Sequence, residues 1–216
     1  HILLTRPLED CSEMIIKFQF LGHQVSHLPL LSVEKIIHDE IDFTDYDGIV
    51  FTSANAVKFL NLNEINKTIK CFCVGEATEK KARSSGFQNT IAAGGNVSNL
   101  KELVLQNYNS SSGKLLYVSG EKISVNLDQE LLNEGYKIKR IINYRVNHNK
   151  NFSEQFVKEL KKNMPNMVYI YSQNSAHSFL NFIRFHQLEG LCKDTNLMCI
   201  GEKTSSILNE IKWKKI

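Results

Sequence analysis

The sequence predicts an α/β protein built as two parallel-sheet domains. Short apolar strands alternate with amphipathic helices along all 216 residues, the pattern of parallel sheets covered by helices on both faces. Several strands stop at Ser or Gly directly ahead of a helix. Two motifs also recur in order. One is a strand ending in Ser with Asn two residues on, at Ser53 with Asn55 and again at Ser172 with Asn174. The other is Gly-Glu-x-Thr, at Gly75-Glu76-Ala77-Thr78 and at Gly201-Glu202-Lys203-Thr204. The recurrence divides the chain into four segments, A–B–A′–B′.

Segment A opens on the strand Ile2-Leu3-Leu4-Thr5 and breaks at Arg6-Pro7. The helix that follows carries Leu8, Cys11, Met14, Ile15, Phe18 and Leu21, close to a 3.6-residue period. Gly22 suits a left-handed cap. A second strand is expected at 25–28 and an extended stretch at 29–33. Segment B has a strand at 48–53, then a helix carrying Val57 and Leu60. A strand at 71–74 and another helix follow, and Ala93-Gly94-Gly95-Asn96 reads as a loop. Segment A′ repeats A. It has a strand at 115–118, a turn at Ser119-Gly120, a helix carrying Leu127, Leu131 and Leu132 that Gly135 stops, and an extended run over 138–146. Segment B′ repeats B, with a strand at 168–172 and a helix carrying Ala176, Phe179, Leu180 and Ile183. A strand at 197–200 and a last helix carrying Ile207, Leu208 and Ile211 complete it.

Composition removes several classes of function. With 42% hydrophobic and 23% charged residues, the chain is neither a disordered tail nor a disulfide scaffold. A net charge of +3, spread along the chain, does not suit a nucleic-acid binder but does suit small anionic ligands. The five cysteines form no C-x-x-C pair, and three of them sit in apolar runs as small hydrophobes, which fits a reducing compartment. No apolar run spans a membrane, and 1–7 carry no signal-peptide pattern. The expectation is a soluble, cytoplasmic monomer with no nucleic-acid or membrane partner.

In open α/β sheets, ligands sit outside the carboxyl ends of the strands. Ser53, Gly75, Ser119, Ser172 and Gly201 all fall at such ends. Each precedes a helix whose first N–H groups favour carboxylates or phosphates. Nucleotide, P-loop and zinc-protease motifs are missing, and the seven His residues are scattered, so neither cofactor nor metal is expected. Arg6 ends the first strand and can grip a carboxylate bidentately, or pair with Glu9 or Asp10. Tyr169 and Tyr171 read as core or cleft wall, and His177 and His186 as helix surface.

Thr5-Arg6-Pro7, the run from Ile49 through Ser53 to Val57, and Val74-Gly75-Glu76-Ala77-Thr78 resemble the motifs of the uroporphyrinogen-III synthase family. So do Gly120 with Leu127, Leu131 and Gly135, then Ile141-Ile142-Asn143-Tyr144, Tyr169-Ile170-Tyr171-Ser172 and Cys199-Ile200-Gly201-Glu202-Lys203-Thr204. Order and spacing carry the resemblance. Ile123-Ser124 stands where members often carry basic residues, and Ala54 and Gln173 replace a common Pro.

The resemblance implies two flavodoxin-like domains, one of 1–28 with 149–216 and one of 34–141. A two-stranded connector, 29–33 and 142–148, would join them. A plain A+B, A′+B′ division stays open on the segment pattern alone. It also implies a reaction: hydroxymethylbilane, a linear tetrapyrrole, loses water and closes to uroporphyrinogen III with its last pyrrole ring inverted. Tyr144 matches the family's connector tyrosine, the implied donor to the departing hydroxyl. Thr52, Ser53, Gly75, Thr78, Ser119, Gly120, Ser172, Gln173, Gly201, Lys203 and Thr204, with Arg6, are the implied substrate-binding set. Beside each stands a plainer role, such as helix capping for Ser53 and Ser172 and first-turn structure for Thr78 and Thr204. A non-catalytic, two-lobed protein that binds small anions is the alternative for the chain as a whole.

Overall fold

The computed structural model describes residues 1–216. In chain order its elements are β1 (Ile2–Leu4), α1 (Leu8–Phe20), β2 (Val25–His27), β3 (Leu31–Lys35), β4 (Tyr46–Phe51), α2 (Ala54–Phe59), β5 (Lys70–Cys73), α3 (Glu76–Ser84), β6 (Asn89–Ala92), α4 (Val97–Asn107), β7 (Lys114–Gly120), α5 (Leu127–Asn133), β8 (Lys137–His148), α6 (Glu154–Lys162), β9 (Met167–Ile170), α7 (Gln173–Phe185), β10 (Asn196–Cys199) and α8 (Glu202–Ser205). The chain divides into two compact units. The first is His1–Ser32 with Asn147–Ile216, and the second is Val33–Val146.

The second unit is built on a sheet of order β3-β8-β7-β4-β5-β6. From β8 to β6 every neighbour is parallel. Its strands bury both faces, as parallel strands do. Ile49, Phe51, Leu116, Val118 and Ile141 pack under α2 and α3 with Val57 and Phe87. Val50, Phe72, Leu115 and Tyr117 pack under α4 and α5 with Leu100, Leu127 and Leu131. The first unit has the all-parallel order β10-β9-β1-β2. Its larger core gathers Leu3, Val168 and Ile170 with Phe179, Phe182 and Ile183 of α7.

The two strand orders match. β2-β1-β9-β10 in the first unit corresponds to β8-β7-β4-β5 in the second, so segment A aligns with A′ and B′ with B. Even β6 has a remnant: beyond β10, Lys215 makes an isolated parallel bridge to Asn196.

Several expectations are corrected. Ser119 and Gly120 do not form a turn; they are the last residues of β7, because β8 pairs alongside through Gly120↔Tyr144. The last expected helix is cut to the four residues of α8 and a 3₁₀ turn, Ser206–Leu208. There the chain must return to the sheet edge, where the Lys214 N–H donates to the Thr195 carbonyl. The Trp213 indole holds the bend by donating to the Leu208 carbonyl at 2.9 Å. Leu208 and Ile211 are buried all the same. In α1 only Cys11 is fully buried; Leu8 faces solvent, as does Leu21 just beyond the helix end. Leu132 of α5 is likewise exposed.

Candidate functional site

Because the four strands of the first unit and β8, β7, β4, β5 and β6 of the second are parallel, their carboxyl ends share one edge within each unit. In the second unit this edge carries Thr52 and Ser53 after β4, Gly75 after β5, Ser119 and Gly120 ending β7, and Tyr144 on β8. Ser53 Oγ accepts from the Asn55 N–H at 3.1 Å and so caps α2. Gly75 caps α3 with extended backbone, and Thr78 is buried in the first turn that follows. The plainer roles of Ser53 and Thr78 are therefore both realised.

Ser119 is fully buried, and its hydroxyl is held inside the protein. It donates to the Gly120 carbonyl at 3.1 Å and accepts from Arg140 Nε at 2.8 Å. Arg140 Nη2 also donates to the Gly120 and Glu121 carbonyls at 2.9 and 3.3 Å. One guanidinium thus ties three consecutive residues at the end of β7, which suits its rigid fork of donors.

Tyr144 lies over Gly120. A Cβ built on Gly120 would stand 2.7 Å from Tyr144 Cζ, 2.9 Å from Cε2 and 3.0 Å from the hydroxyl. Only a residue without a side chain leaves that ring its place. The ring also stacks on Phe59, with centroids 6.5 Å apart. The phenol is nearly buried, and no protein group hydrogen-bonds its hydroxyl.

Tyr144 opens onto a small cavity of about 130 Å³ that Thr52, Gly120, Tyr117, Lys122 and Ser124 also line. Tyr117 approaches Thr52 Oγ1 at 3.5 Å, the outer limit of a hydrogen bond. Burial pushes the Tyr117 phenol up, partly offset by the Thr52 hydroxyl and the Arg140 charge. Of the expected residues, this cavity brings together Thr52, Gly120 and Tyr144. It leaves Ser53, Gly75, Thr78 and Ser119 outside its lining.

In the first unit, Arg6 follows β1, Ser172 and Gln173 follow β9, and Gly201, Lys203 and Thr204 follow β10. The Arg6 guanidinium sits 5.0 Å from the Tyr171 ring centroid and 3.4 Å from the Asp10 carboxylate. The expected pairing with Asp10 exists, and Arg6 stays about two-fifths exposed. Tyr171 donates to Met14 Sδ at 3.1 Å, and burial pushes its phenol up against the opposing Arg6 charge. Ser172 caps α7 by accepting from the Ser175 N–H at 3.1 Å. Gln173, Gly201 and Lys203 lie at the surface, and Thr204 is buried. Of the four helices behind Ser53, Gly75, Ser172 and Gly201, only α3 and α7 are long enough for a substantial dipole.

Tyr117, Lys122, Ser124 and Arg140 were not among the expected site residues. Arg140 had the clearest signal, as one of five arginines beside 21 lysines. Lys122 and Ser124 fall in the stretch where the resemblance shows its departures, and Tyr117 reads as a core strand residue.

Two flavodoxin-like parallel sheets, with edges that offer hydroxyls, backbone donors and a few cations, define a two-domain α/β enzyme acting on an anionic small molecule. The profile of the family described as uroporphyrinogen-III synthase HemD matches residues 12–216, and the chain belongs to that family. It is a lyase that cyclises hydroxymethylbilane to uroporphyrinogen III in heme biosynthesis. Among solved structures it is similar to the uroporphyrinogen-III synthetase of Helicobacter pylori. The TM-score is 0.66 at 19% identity over 100% of this chain and 91% of that one. It is also similar to a mutant uroporphyrinogen III synthase from the extremely thermophilic bacterium Thermus thermophilus, with a TM-score of 0.59 at 14% identity over 99% of this chain and 91% of that one. These identities bear on the fold alone. No curated protein sequence matches the chain significantly.

Proposed function

We propose that Tyr144 is the hydrogen-bond donor to the hydroxyl that hydroxymethylbilane loses, and that the cavity beside it receives that end of the substrate. One observation carries the reading: a phenol fixed over Gly120, facing a cavity, with its hydroxyl unclaimed by the protein.

The chemistry needs little more. A pyrrole nitrogen lone pair expels the terminal hydroxyl, which leaves as water once it takes a proton. The resulting azafulvene is attacked by the substituted carbon of the last ring. The spiro intermediate fragments and recloses with that ring inverted. The substrate supplies the electron push, so the protein's part is to orient the chain, shield the electrophile and assist departure. Lys122 is placed to neutralise a substrate carboxylate, and Thr52 and Ser124 to donate hydrogen bonds at the same opening. On the first unit, Arg6, Gln173, Gly201 and Lys203, with the N–H groups at the start of α7 behind Ser172, form an anion-binding edge of the same kind. Ser53, Gly75 and Thr78 support the corresponding turns of the second unit, Thr204 that behind Gly201, and Ser119 supports the Arg140 clamp.

The reading extends to a monomer that works in the cytoplasm without cofactor or metal. The five free thiols fit a reducing compartment. The domains would be 1–28 with 149–216, and 34–141, with 29–33 and 142–148 as the strands by which the chain passes between them.

The test is Tyr144→Phe. It should keep the wild-type melting temperature and KM while kcat falls on the order of 10²-fold, the low end for general acid assistance, because the lost bond strengthens as C–O cleavage proceeds. Product isomers must be separated, since spontaneous closure adds the wrong isomer to a slowed reaction. Wild-type kcat in the folded variant would return Tyr144 to a packing role.

A further inference from the structure

Strand β8 should present alternate residues to alternate faces of its sheet. It does not. Ile141 and Tyr144, three positions apart, both pack in the cluster containing Phe51, Leu116 and Val118. The pairing with β7 shows why: Ser119 lies opposite Ile142, but the next residue, Gly120, lies opposite Tyr144. Asn143 is one residue too many on β8, a β-bulge in a parallel pair, where bulges are uncommon.

A one-residue shift exchanges every side chain beyond it between the two faces. Were β8 regular here, with Asn143 opposite Gly120, Tyr144 would join Ile138 and Arg140 on the face of Tyr117, and the phenol would leave Gly120. The bulge is held from both strands. The Asn143 amide, fully buried, donates to the Ala56 carbonyl at 2.7 Å. This pins the bulge to α2, directly beyond Thr52 and Ser53. Arg140 clamps the facing end of β7 through Ser119, Gly120 and Glu121. The Glu121 N–H closes the pair by donating to the Tyr144 carbonyl at 2.9 Å. Asn143 Oδ1, by contrast, is buried without a hydrogen-bond partner. A polar side chain kept in the core at that cost is there for its one bond, since an apolar residue would fill the space without an orphaned oxygen.

We infer that Asn143 is a positioning residue for the cyclisation: its bulge and its bond to Ala56 set the phenol of Tyr144 over Gly120. The inference rests on the reading of Tyr144 given above, and it assigns Asn143 no contact with substrate.

A double-mutant cycle tests it with the full chain and hydroxymethylbilane. Asn143→Ala should lower kcat roughly 10- to 100-fold, as a displacement of about 1 Å does, with KM little changed. Asn143→Ser, which keeps a shorter donor, should recover part of the loss. The decisive readout is the background. In Tyr144→Phe the same Asn143→Ala change should cost almost nothing further in kcat, because the group it positions is already gone. Equal losses in both backgrounds, with Tyr144→Phe itself slow, would overturn the inference and leave the Tyr144 reading standing. Wild-type kcat in Tyr144→Phe would overturn that reading instead. If Asn143→Ala does not fold at the assay temperature, Asn143→Ser takes its place in the same cycle. Melting curves of all variants separate lost stability from a misplaced phenol.

Discussion

Replacing Gly120 by alanine adds one methyl group at the most crowded point of the cavity wall. Its carbon would stand 2.7 Å from Tyr144 Cζ and 2.9 Å from Cε2, whereas carbon atoms rest about 3.5–4.0 Å apart. The ring must therefore retreat by roughly 1 Å. Phe59, partly buried, is stacked on the same ring, so moving the ring disturbs a packed aromatic pair. Overpacking of this kind costs about 1–3 kcal/mol, and the melting temperature should fall by roughly 3–10 °C. The effect on turnover should be larger, because a reacting group misplaced by about 1 Å loses on the order of 10²-fold in rate. Steady-state turnover with product isomers resolved, beside melts of both proteins, measures both. Since the clash acts through the ring, Gly120→Ala should add little to the rate loss of Tyr144→Phe, which keeps the ring and already lacks the hydroxyl. A folded Gly120→Ala variant with wild-type kcat would refute the placement of the phenol as the source of rate.

Lys122→Ala should weaken product affinity roughly 5-fold at low salt, the worth of one exposed charge pair. The difference should close above about 0.1 M salt, where the screening length falls to about 10 Å; equal affinities at low salt would remove Lys122 from the anion site. Glu79 is held below the ordinary carboxylate range, first by Arg83, which donates at 2.8 and 3.1 Å, and then by Thr90 at 2.8 Å. A depressed acid stabilises the fold above its unfolded value of about 4.3 and loses that contribution as pH falls through the folded one. Glu79→Gln should thus lie roughly 1 kcal/mol below wild type at pH 7, with the gap closing in acid; a gap that widens in acid would contradict this. Burial pushes the Cys192 thiol up to about 12, and the Cys73 sulfur and burial push Cys71 up. A thiol reagent at mildly alkaline pH should label partly exposed Cys199 first and reach Cys71, Cys73 and Cys192 only on unfolding, as peptide mapping would show.

Most strands were legible because several apolar runs of buried parallel strands stop at Ser or Gly before a helix; β6, a short run at the sheet edge, was not expected. Those Ser and Gly residues also lie at the carboxyl ends of the strands, so the place of the proposed ligand edge was readable in both units. The architecture of the cavity was not. Ile141-Ile142-Asn143-Tyr144-Arg145-Val146 reads as one unbroken extended run, and nothing in it shows that Asn143 is surplus. A bulge is a relation between two strands, and it becomes visible only when β7 fixes the register. Arg140 was hidden in the same way, since its three acceptors lie some twenty positions earlier in the chain. The end of the chain misled for another reason. Leu208 and Ile211 have helical spacing, but a 3₁₀ turn and a bend bury them equally well, and the bond from Trp213 to Leu208 decides between the two.

The matching strand orders have a consequence for how the protein is made. The second unit is continuous, so its 114 residues, Val33–Val146, can fold as soon as they leave the ribosome. The first unit is closed by its ends: Leu3 pairs with Val168 across the whole of the second. Until β9 emerges, β1 and β2 have no central partner, and an apolar strand waits with its edge open during synthesis of more than a hundred residues. Such an edge invites pairing with another chain. Nascent chains stalled with residue 146 clear of the ribosome and β9 still inside it should therefore hold a protected second unit and an N-terminal segment that proteases and chaperones still recognise. That vulnerability ends only when β9 reaches β1.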